Sequence, residues 1–396
     1  MNRQSVIEPL ERRRFLAAVQ PTAVEQYEVE LINRARANPA AEAARFGIAL
    51  NEGLAAGTIS TAAKQPLAIS PFVTDAARRH SKWMLDADVF SHTGSGASNP
   101  GNRIKSAGYA LVPPWTWGEN IGYRSQRPSV PDPAAMAKQI HQDLFVDRNI
   151  PGRGHRTNLL GDAFKEIGAG VVSGEFDGYN AVMLTTDFAA SGSGSFLTGV
   201  AYDDAVTKDN FYTPGEGLGG VTITARRASD NRAFTALTWT SGGYSLNLSP
   251  GTYAVSGSGA ALGGTVNYGN VTIGSKNVKV DFRPAPPPAT GSIKGTVFTD
   301  LNRDGAPDAG EPVHAGVVVY IDANRNGRRD GNEKYVRTRS DGLYRFADLR
   351  AGTYRIRHYV PAGLTVLAPT NGFHDVRLTA GRAVGGRNFA DVSTSN

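Results

Sequence analysis

Three residues in the first half of the chain have side chains that support metal-assisted or acid–base chemistry. They occur in short, turn-like stretches: His92 in FSHTG, Glu119 in WGENIGY and His155 in GRGHR. Imidazole is the commonest protein ligand for zinc-like metals, and a nearby carboxylate can act as a general base. One interpretation is a zinc-binding or catalytic site shared by all three residues. Because separation along the sequence does not establish proximity, histidines on unrelated parts of the surface are the alternative.

Two stretches near the C-terminus, DLNRDGAPDAGE and DANRNGRRDGNE, follow the calcium-loop pattern D-x-[DN]-x-[DN]-G-x5-E. Calcium takes about six to eight oxygen ligands, which alternate residues of a tight loop can direct to one point. In the first loop the predicted ligands are Asp300, Asn302, Asp304, the carbonyl of Ala306, Asp308 and Glu311. In the second loop they are Asp322, Asn324, Asn326, the carbonyl of Arg328, Asp330 and Glu333. Turn formation alone is the alternative, but two full matches in one module favour calcium.

The second loop is expected to be the weaker calcium site. It has only three acidic residues, and Arg325, Arg328 and Arg329 crowd it. Asp300→Ala is therefore expected to harm calcium binding more than Asp322→Ala. The flanking stretches GTVFT and VVVYI are typical of strands, so these loops do not belong to helix–loop–helix hands.

The elements that must position the histidines alternate between helix and strand patterns. Thr22, Ser70 and Asp132 each precede an apolar helical repeat and are predicted as N-caps, the last two being followed by proline. The stretches EIGAGVVSG and NAVMLTTDFA, joined by EFDG, predict a β-hairpin in a buried sheet. Helices combined with an antiparallel sheet predict an α+β sandwich over residues 22–190.

Two linkers are predicted to divide the rest of the chain. ASGSGS at 190–195 predicts a flexible linker, and the proline-rich stretch 284–290 predicts a stiff one. The segments that follow them, 196–283 and 291–392, present strand and turn signals in the same order, with a GE pair and a GTY triplet in each. This order indicates a duplicated module, for which a β-sandwich is predicted.

The first copy of the module contains a degraded version of the calcium loop. From Asp204 to Glu216 the loop is one residue too long, and Thr207 and Lys208 fall where ligands belong. We therefore expect little or no calcium binding in this copy.

Composition and charge exclude several classes of function. The 396 residues include no cysteine, so any metal must be held by histidine, carboxylates, amides or backbone oxygens. The net charge of +6 is spread along the chain without a dense basic stripe, which argues against a nucleic-acid partner. No apolar run approaches the roughly 20 residues of a transmembrane helix. Residues 1–21 are interpreted as an export leader or a disordered basic tail.

The stretches around the candidate site also resemble a known family. FSHTG, GENIGY and GHRTNLL followed by EIGAGVV are similar, in this order, to the bacterial SCP-like branch of the CAP superfamily (cysteine-rich secretory, antigen 5 and pathogenesis-related proteins). The resemblance covers residues 24–190. It implies an α-β-α sandwich with a cleft where His92, Glu119 and His155 meet, and some members bind zinc there through the two histidines.

One departure from the family pattern concerns the helix before His155. The family often places a second glutamate there, whereas this chain reads MAKQIHQDLFVD and offers His141, Gln142 or Asp143 instead. His80 is interpreted as a structural residue that packs on the core. Asn120 is expected to fix its loop by hydrogen bonding.

Residues 291–392 resemble the B repeats of Sdr-type bacterial surface adhesins through GTVFTDLNRDG, SDGLYRF and GTY. This resemblance implies a calcium-stiffened spacer or display module. It also implies an exported bacterial protein that is extracellular or on the cell surface.

Three functions are compatible with these patterns. The chain has no cysteine nucleophile, and it lacks the G-x-S-x-G, H-E-x-x-H and phosphate-loop motifs. The first hypothesis is a secreted or surface-associated binding protein whose cleft takes a lipid, a glycan or another cell-envelope ligand. The second is a metal-dependent hydrolase, such as a peptidase, that uses His92, Glu119 and His155. The third is an adhesive protein with a vestigial cleft.

Overall fold

The computed structural model describes residues 19–285 and 289–394. The chain divides into two compact units, Met1–Ala285 and Pro286–Asn396. The predicted leader lies outside the described residues up to residue 18, as do residues 286–288 of the proline-rich linker. Among the described residues, no helix is long and apolar enough to cross a membrane.

Six α-helices occur in the described part of the first unit, and the capping signals of the sequence mark several of their starts. They are α1 (Ala23–Ala37), α2 (Pro39–Arg45), α3 (Pro71–Asp86), α4 (Pro100–Ser106), α5 (Pro133–Val146) and α6 (Gly154–Leu159). Thr22 caps α1 and Asp132 caps α5, as predicted. Ser70 is the N-cap residue of α3, as predicted, but its side chain makes no capping hydrogen bond within the described residues. Its N–H instead donates to the carbonyl of Ile167, so sheet pairing fixes this residue.

Four strands form the sheet of the N-terminal domain. They are β1 (Ala68–Ile69), β2 (Trp115–Gln126), β3 (Glu166–Phe176) and β4 (Tyr179–Ser191), in the order β1-β3-β4-β2. The hairpin predicted from the sequence is formed by β3 and β4. β1 runs parallel to β3, and β2 runs antiparallel to β4. The sequence did not predict β2, because its glycines and polar residues break the alternation typical of a strand.

Helices cover both faces of this sheet. The neighbouring residues Phe188 and Ala189 of β4 point to opposite faces and belong to different cores. Phe188 packs with residues of α1, α5 and α6, such as Ile32 of α1 and Phe145 of α5. Ala189 packs with α3 and α4 through Val73 and other apolar residues. The predicted α+β fold, an α-β-α sandwich, is confirmed.

The contact between α3 and β3 depends on two glycines. A Cβ atom at Gly168 would lie 2.1 Å from the backbone N of Thr74, and one at Gly170 would lie 2.2 Å from the backbone N of Arg78. Only glycine permits such a close approach. The approach holds α3, and with it His80, against the sheet.

A buried carboxyl in this sheet gives a test of pH dependence. Burial raises the pKa of Glu166 to about 7, although a hydrogen bond donated by the hydroxyl of Tyr109 opposes the shift. Because the folded pKa lies above the unfolded value, stability is lost as pH rises from about 4.5 through about 7. We expect Glu166→Gln to remove roughly 2 kcal/mol of this loss, measured by urea unfolding of both proteins at about pH 5 and pH 8. An identical pH profile for both proteins would contradict the expectation.

The first β module forms two sheets that pack into a sandwich. Its strands are β5 (Ser195–Val200), β6 (Thr222–Arg227), β7 (Ala233–Leu237), β8 (Gly243–Leu248), β9 (Gly251–Gly259), β10 (Gly264–Ile273) and β11 (Val278–Lys279). The sheet orders are β10-β9-β6-β7 and β11-β5-β8. Residues of both sheets share one apolar core, including Leu197, Ile223 and Tyr253.

This module is not tethered by a flexible linker, so the prediction for residues 190–195 is wrong. β4 continues to Ser191 and β5 begins at Ser195. The module also docks on the N-terminal domain, since the hydroxyl of Ser245 donates to the carbonyl of Ile69 at 2.8 Å. The side-chain amide of Asn277 donates to two carbonyls of the same domain, those of Pro66 and Lys165. Such fixed polar contacts hold the two parts as one compact unit.

The second unit is another two-sheet β-sandwich. Its strands are β12 (Gly291–Thr299), β13 (Val318–Ile321), β14 (Tyr335–Arg337), β15 (Leu343–Leu349), β16 (Gly352–His358), β17 (Leu364–Ala368), β18 (His374–Leu378), β19 (Ala383–Val384) and β20 (Phe389–Ser393). One sheet has the order β15-β12-β20-β17 with β19 also paired to β12, and the other has the order β14-β13-β16-β18. The first calcium-like loop joins β12 to β13, and the second joins β13 to β14.

Candidate functional site

Glu119, in the middle of β2, is the centre of the first candidate site. Its side chain is almost fully buried and accepts a 2.7 Å hydrogen bond from Nδ1 of His92. Nη2 of Arg103, on α4, binds the other carboxylate oxygen. Burial opposes ionisation of Glu119, but the bond from His92 and the charge of Arg103 outweigh it and lower the pKa of the carboxyl. The site therefore holds a charged glutamate beneath a half-exposed imidazole.

His80 supports this arrangement from α3. Its ring is buried and stacks on Trp83 with ring centroids 5.6 Å apart, which confirms that it packs in the interior. Nε2 donates to the carbonyl of Ser91, the residue before His92, at 3.0 Å. Nε2 also lies 3.9 Å from Oε2 of Glu119. Burial lowers the pKa of His80, so a neutral ring holds the loop that carries His92.

His155 is oriented by a carboxylate that the sequence did not single out. Asp147 follows α5 in a left-handed conformation, with φ of 51°, and its carboxylate is buried. It accepts hydrogen bonds from Nδ1 of His155 at 2.8 Å and from the backbone N of the same residue at 2.9 Å. No spacing or motif marks Asp147 in the sequence, because the contact depends on the turn between α5 and α6.

Asn120 links the two halves of the site. Its side-chain amide donates to the carbonyl of His155 at 3.1 Å and accepts from Asn158 at 2.9 Å. Asn158 also donates to the carbonyl of Glu119. The prediction that Asn120 fixes the loop by hydrogen bonding is confirmed.

The sequence suggested residues of α5 in place of the second glutamate that the CAP family often has before His155, and these residues lie in different places. His141 is buried between Glu28 and Glu42, so it does not face the cleft. Burial opposes protonation of His141, but the two carboxylates outweigh it and raise the pKa of the imidazole. Asp143 does line the cleft and forms an ion pair with Arg124 at 2.6 Å.

An apolar cleft of about 250 Å³ lies beside the His155–Asp147 pair, between β2, α5 and the loop that follows α5. Phe90, Tyr123 and Ile150 line it and are each about 40% exposed, and His155 and Asp147 line the same cleft. Sequence analysis identified the histidine but not these apolar residues. Single exposed hydrophobic residues carry no signal until the fold gathers them.

A second buried carboxyl lies next to Glu119. Asp187 of β4 is its cross-strand partner and is fully buried, and neither carboxyl oxygen has a hydrogen-bond partner among the residues that the structure describes. Burial, followed by the charge of Glu119, raises the pKa of Asp187 well above its usual range. The sequence did not identify this residue, because cross-strand register brings it to the site.

The two histidines have the donor atoms that zinc requires. In each, Nδ1 is held by a carboxylate, and no hydrogen bond within the described residues uses Nε2. Carboxylates that bind Nδ1 commonly orient zinc-ligating imidazoles in this way. Among residues 19–285 and 289–394, however, no three or more His, Cys, Asp or Glu side chains are grouped to hold a metal. Each imidazole therefore has the donor chemistry for zinc, and any further ligands would come from water or substrate.

In the first calcium-like loop, hydrogen bonds within the loop hold the predicted carboxylate ligands. Asp300 is buried and accepts from the backbone N of Arg303 and Gly305 at 2.6 and 2.7 Å. The amide nitrogen of Asn302 donates to carboxylate oxygens of Asp304 at 3.1 Å and of Asp308 at 2.8 Å. Glu311 closes the loop by accepting from two backbone N–H groups. The oxygen-rich donor set fits calcium.

The second loop repeats this arrangement with one difference. Asp330 accepts from the amides of Asn324 and Asn326, at 2.6 and 3.0 Å. Within residues 19–285 and 289–394, Oδ1 of the buried Asp322 has no hydrogen-bond partner, while Oδ2 accepts from Nε of Arg357 at 2.8 Å. Oδ1 fits a cation ligand, but the guanidinium already neutralises part of the charge that would attract calcium. Arg357 lies on β16, so the sequence of the loop could not reveal it.

The degraded loop of the first module holds an arginine instead. Glu216 is fully buried and accepts from three backbone N–H groups of its own loop. Arg283 lies 3.4 Å from Asp204 and donates to the side-chain oxygen of Asn210 at 2.5 Å. A protein side chain thus supplies the positive charge in this loop.

Two protein families match different parts of this chain. Residues 29–188 match the sequence model of the cysteine-rich secretory protein family, CAP, and residues 291–384 match that of the SdrD B-like domain. Serine-aspartate repeat-containing protein D of Staphylococcus aureus (strain Newman) is 29% identical over 177 residues, which are 40% of this chain and 13% of that protein. The chain thus spans only a small part of its curated relative.

Two solved structures are also similar over part of the chain. An extracellular protein containing a SCP domain, from Bacillus anthracis str. Ames, is 21% identical, with 41% of this chain and 40% of that chain covered and a TM-score of 0.26. The minor pilin GBS52 of Streptococcus agalactiae is 17% identical, with 51% and 97% covered and a TM-score of 0.24.

Proposed function

We propose that this chain, which carries a CAP domain followed by a SdrD B-like domain, is an extracellular, surface-associated binding protein. Its CAP cleft binds an amphiphilic cell-envelope ligand with an acyl chain. The SdrD B-like domain acts as a calcium-stiffened spacer. The proposal rests above all on the cleft that exposes Phe90, Tyr123 and Ile150 next to His155. Apolar side chains surrounding a few polar groups are typical of small-molecule sites.

Substitution in the cleft tests this proposal. Ile150→Asp places a charge on the apolar wall and is expected to weaken binding of a fluorescent long-chain fatty acid at least tenfold. Burying the exposed part of an isoleucine contributes roughly 1.5 kcal/mol. Val130→Asp, at a residue 75% exposed that does not line the cleft, is the matched control. Equal affinities of the wild type and the Ile150→Asp variant would refute acyl-chain binding in the cleft, and binding of only soluble envelope glycans would identify a different ligand class.

The second candidate function is a metal-dependent hydrolase. It is supported by the two histidine–carboxylate pairs, His92 with Glu119 and His155 with Asp147. Zinc would bind through the two Nε2 atoms and supply an activated water, with Glu119 holding His92 in the required orientation. Arg103 would keep Glu119 ionised.

A zinc titration separates this candidate from the first. We expect calorimetry to detect zinc binding to the full chain and its loss in a His92→Ala/His155→Ala double variant, with His314→Ala as control. Parallel loss of peptide hydrolysis would support the enzyme. Zinc binding that survives in the double variant would exclude the histidine site.

A further inference from the structure

A second cavity lies between α3 and α4, outside the cleft. Its volume is about 290 Å³, near the lower limit of typical small-molecule pockets. Arg79 and Trp83 of α3 form one wall, and Asn102 of α4 forms another. We call this cavity the α3–α4 pocket.

Two polar atoms around this pocket lack partners. Nδ1 of the buried His80 and Nε of Arg103 make no hydrogen bond in the described part of the chain, and both residues line the pocket. Because Nε2 of His80 donates to Ser91, Nδ1 of the neutral ring is an acceptor, whereas Nε of Arg103 is a donor. Buried groups without partners are rare in folded proteins and call for an explanation such as a bound group.

The same side chains converge on one point beside Gly94. A Cβ atom at this residue would lie 2.9 Å from Oγ of Ser98, 3.1 Å from Nη1 of Arg103 and 3.3 Å from Nδ1 of His80. The backbone of Gly94 is extended, with φ of −92°, so its lack of a side chain is not required by conformation. A side chain at Gly94 would therefore crowd Ser98, Arg103 and His80, which line the pocket.

The charges around the pocket favour an anionic group. Arg79 and Arg103 both line it. Arg79 binds Asp75 through Nε and Nη2, whereas Arg103 binds Glu119 through Nη2 and the carbonyls of His92 and Ser98 through Nη1. Nε of Arg103 therefore remains for a ligand. An acceptor-only anion such as acetate would leave Nδ1 of His80 unpaired, whereas a ligand that carries both a carboxylate and hydroxyl groups would pair both atoms.

We propose that the α3–α4 pocket binds an acidic saccharide. The carboxylate accepts from Nε of Arg103 and interacts with Arg79. A ring hydroxyl donates to Nδ1 of His80, and Trp83 provides an apolar wall for the ring. This site is separate from the cleft of the proposed function and does not depend on it.

Calorimetric titration of the full chain with D-glucuronate, D-glucose and acetate tests the proposal. We expect saturable glucuronate binding in the millimolar range and binding of the other two probes at least tenfold weaker. Gly94→Ala, which fills the convergence point, and Arg79→Gln are expected to weaken glucuronate binding about tenfold. Lys82→Gln, an exposed lysine of α3 that does not line the pocket, is the matched control.

Several outcomes would overturn the proposal. Absence of glucuronate binding up to about 10 mM would refute the site, and equal affinity for acetate would show only a general anion site. Equal loss in Lys82→Gln and Arg79→Gln would indicate nonspecific charge attraction. Loss of glucuronate binding in Ile150→Asp would place the sugar in the cleft.

The unfolding temperature of Gly94→Ala is the control for folding. If it equals that of the wild type, weaker glucuronate binding by this variant is not caused by misfolding.

Discussion

Calcium is expected to raise the unfolding temperature of residues 291–392 by roughly 10 to 20 °C when its free concentration is about a hundredfold above Kd. A ligand bound only by the folded state then contributes about 2.7 kcal/mol to the free energy of unfolding. For a domain of this size, this stabilisation raises the unfolding temperature by roughly 10 to 20 °C. The reason lies in the first loop, where Asn302 binds the carboxylates of Asp304 and Asp308 and Glu311 closes the loop. Differential scanning calorimetry of the full chain, with calcium and with chelator, measures the shift.

The two loops should differ in this experiment. Asp308→Asn is expected to remove most of the calcium-dependent shift, while the equivalent Asp330→Asn removes less, because Arg357 already binds Asp322 in the second loop. Asp348→Asn, an exposed residue of the same module outside both loops, is the control. An unchanged unfolding temperature at millimolar calcium would refute calcium binding, and an equal effect of the two loop variants would refute the asymmetry.

Glu119→Gln is expected to lower the free energy of unfolding by about 3 kcal/mol. Its carboxylate is almost fully buried and compensates the largely buried Arg103, so its removal leaves a buried positive charge without a partner. Asp143→Asn, which breaks the exposed pair with Arg124, is the control and should cost less than about 1 kcal/mol. Urea unfolding of the three proteins measures the difference. A cost for Glu119→Gln as small as that of the control would show that the pair with Arg103 contributes little.

Asp187→Asn should have the opposite effect. The pKa of Asp187 is higher in the folded protein than its unfolded value near 3.8. The free energy of unfolding therefore falls as pH rises above about 3.8, because the unfolded chain loses this proton more readily than the folded protein does. The asparagine variant removes this cost and can donate to Glu119. Its stability relative to wild type should therefore increase between pH 4 and pH 7, as measured by urea unfolding. A decrease over the same range would contradict the burial of an uncharged carboxyl at this position.

Local signals were sufficient for much of the fold. Thr22 and Asp132 marked helix starts, because capping depends on residues within one turn. The β3–β4 hairpin followed from two apolar stretches around a short turn. The two β-sandwiches followed from a repeated order of strands and turns. The stretch at 190–195 was misjudged, since glycine and serine show that a chain can bend but not whether the next module docks, as Asn277 does.

The sequence by itself determined which side chains are candidates for chemistry: two histidines, the glutamate of GEN and two sets of oxygen ligands. Only the tertiary structure decided their partners. Asp147 reaches His155 across a turn, Asp187 meets Glu119 through strand register, and Arg357 reaches a calcium-like loop from another strand. The physical reason is that a residue's type sets what it can bind, whereas burial and neighbouring charges, which set its protonation and orientation, come from residues distant in the sequence.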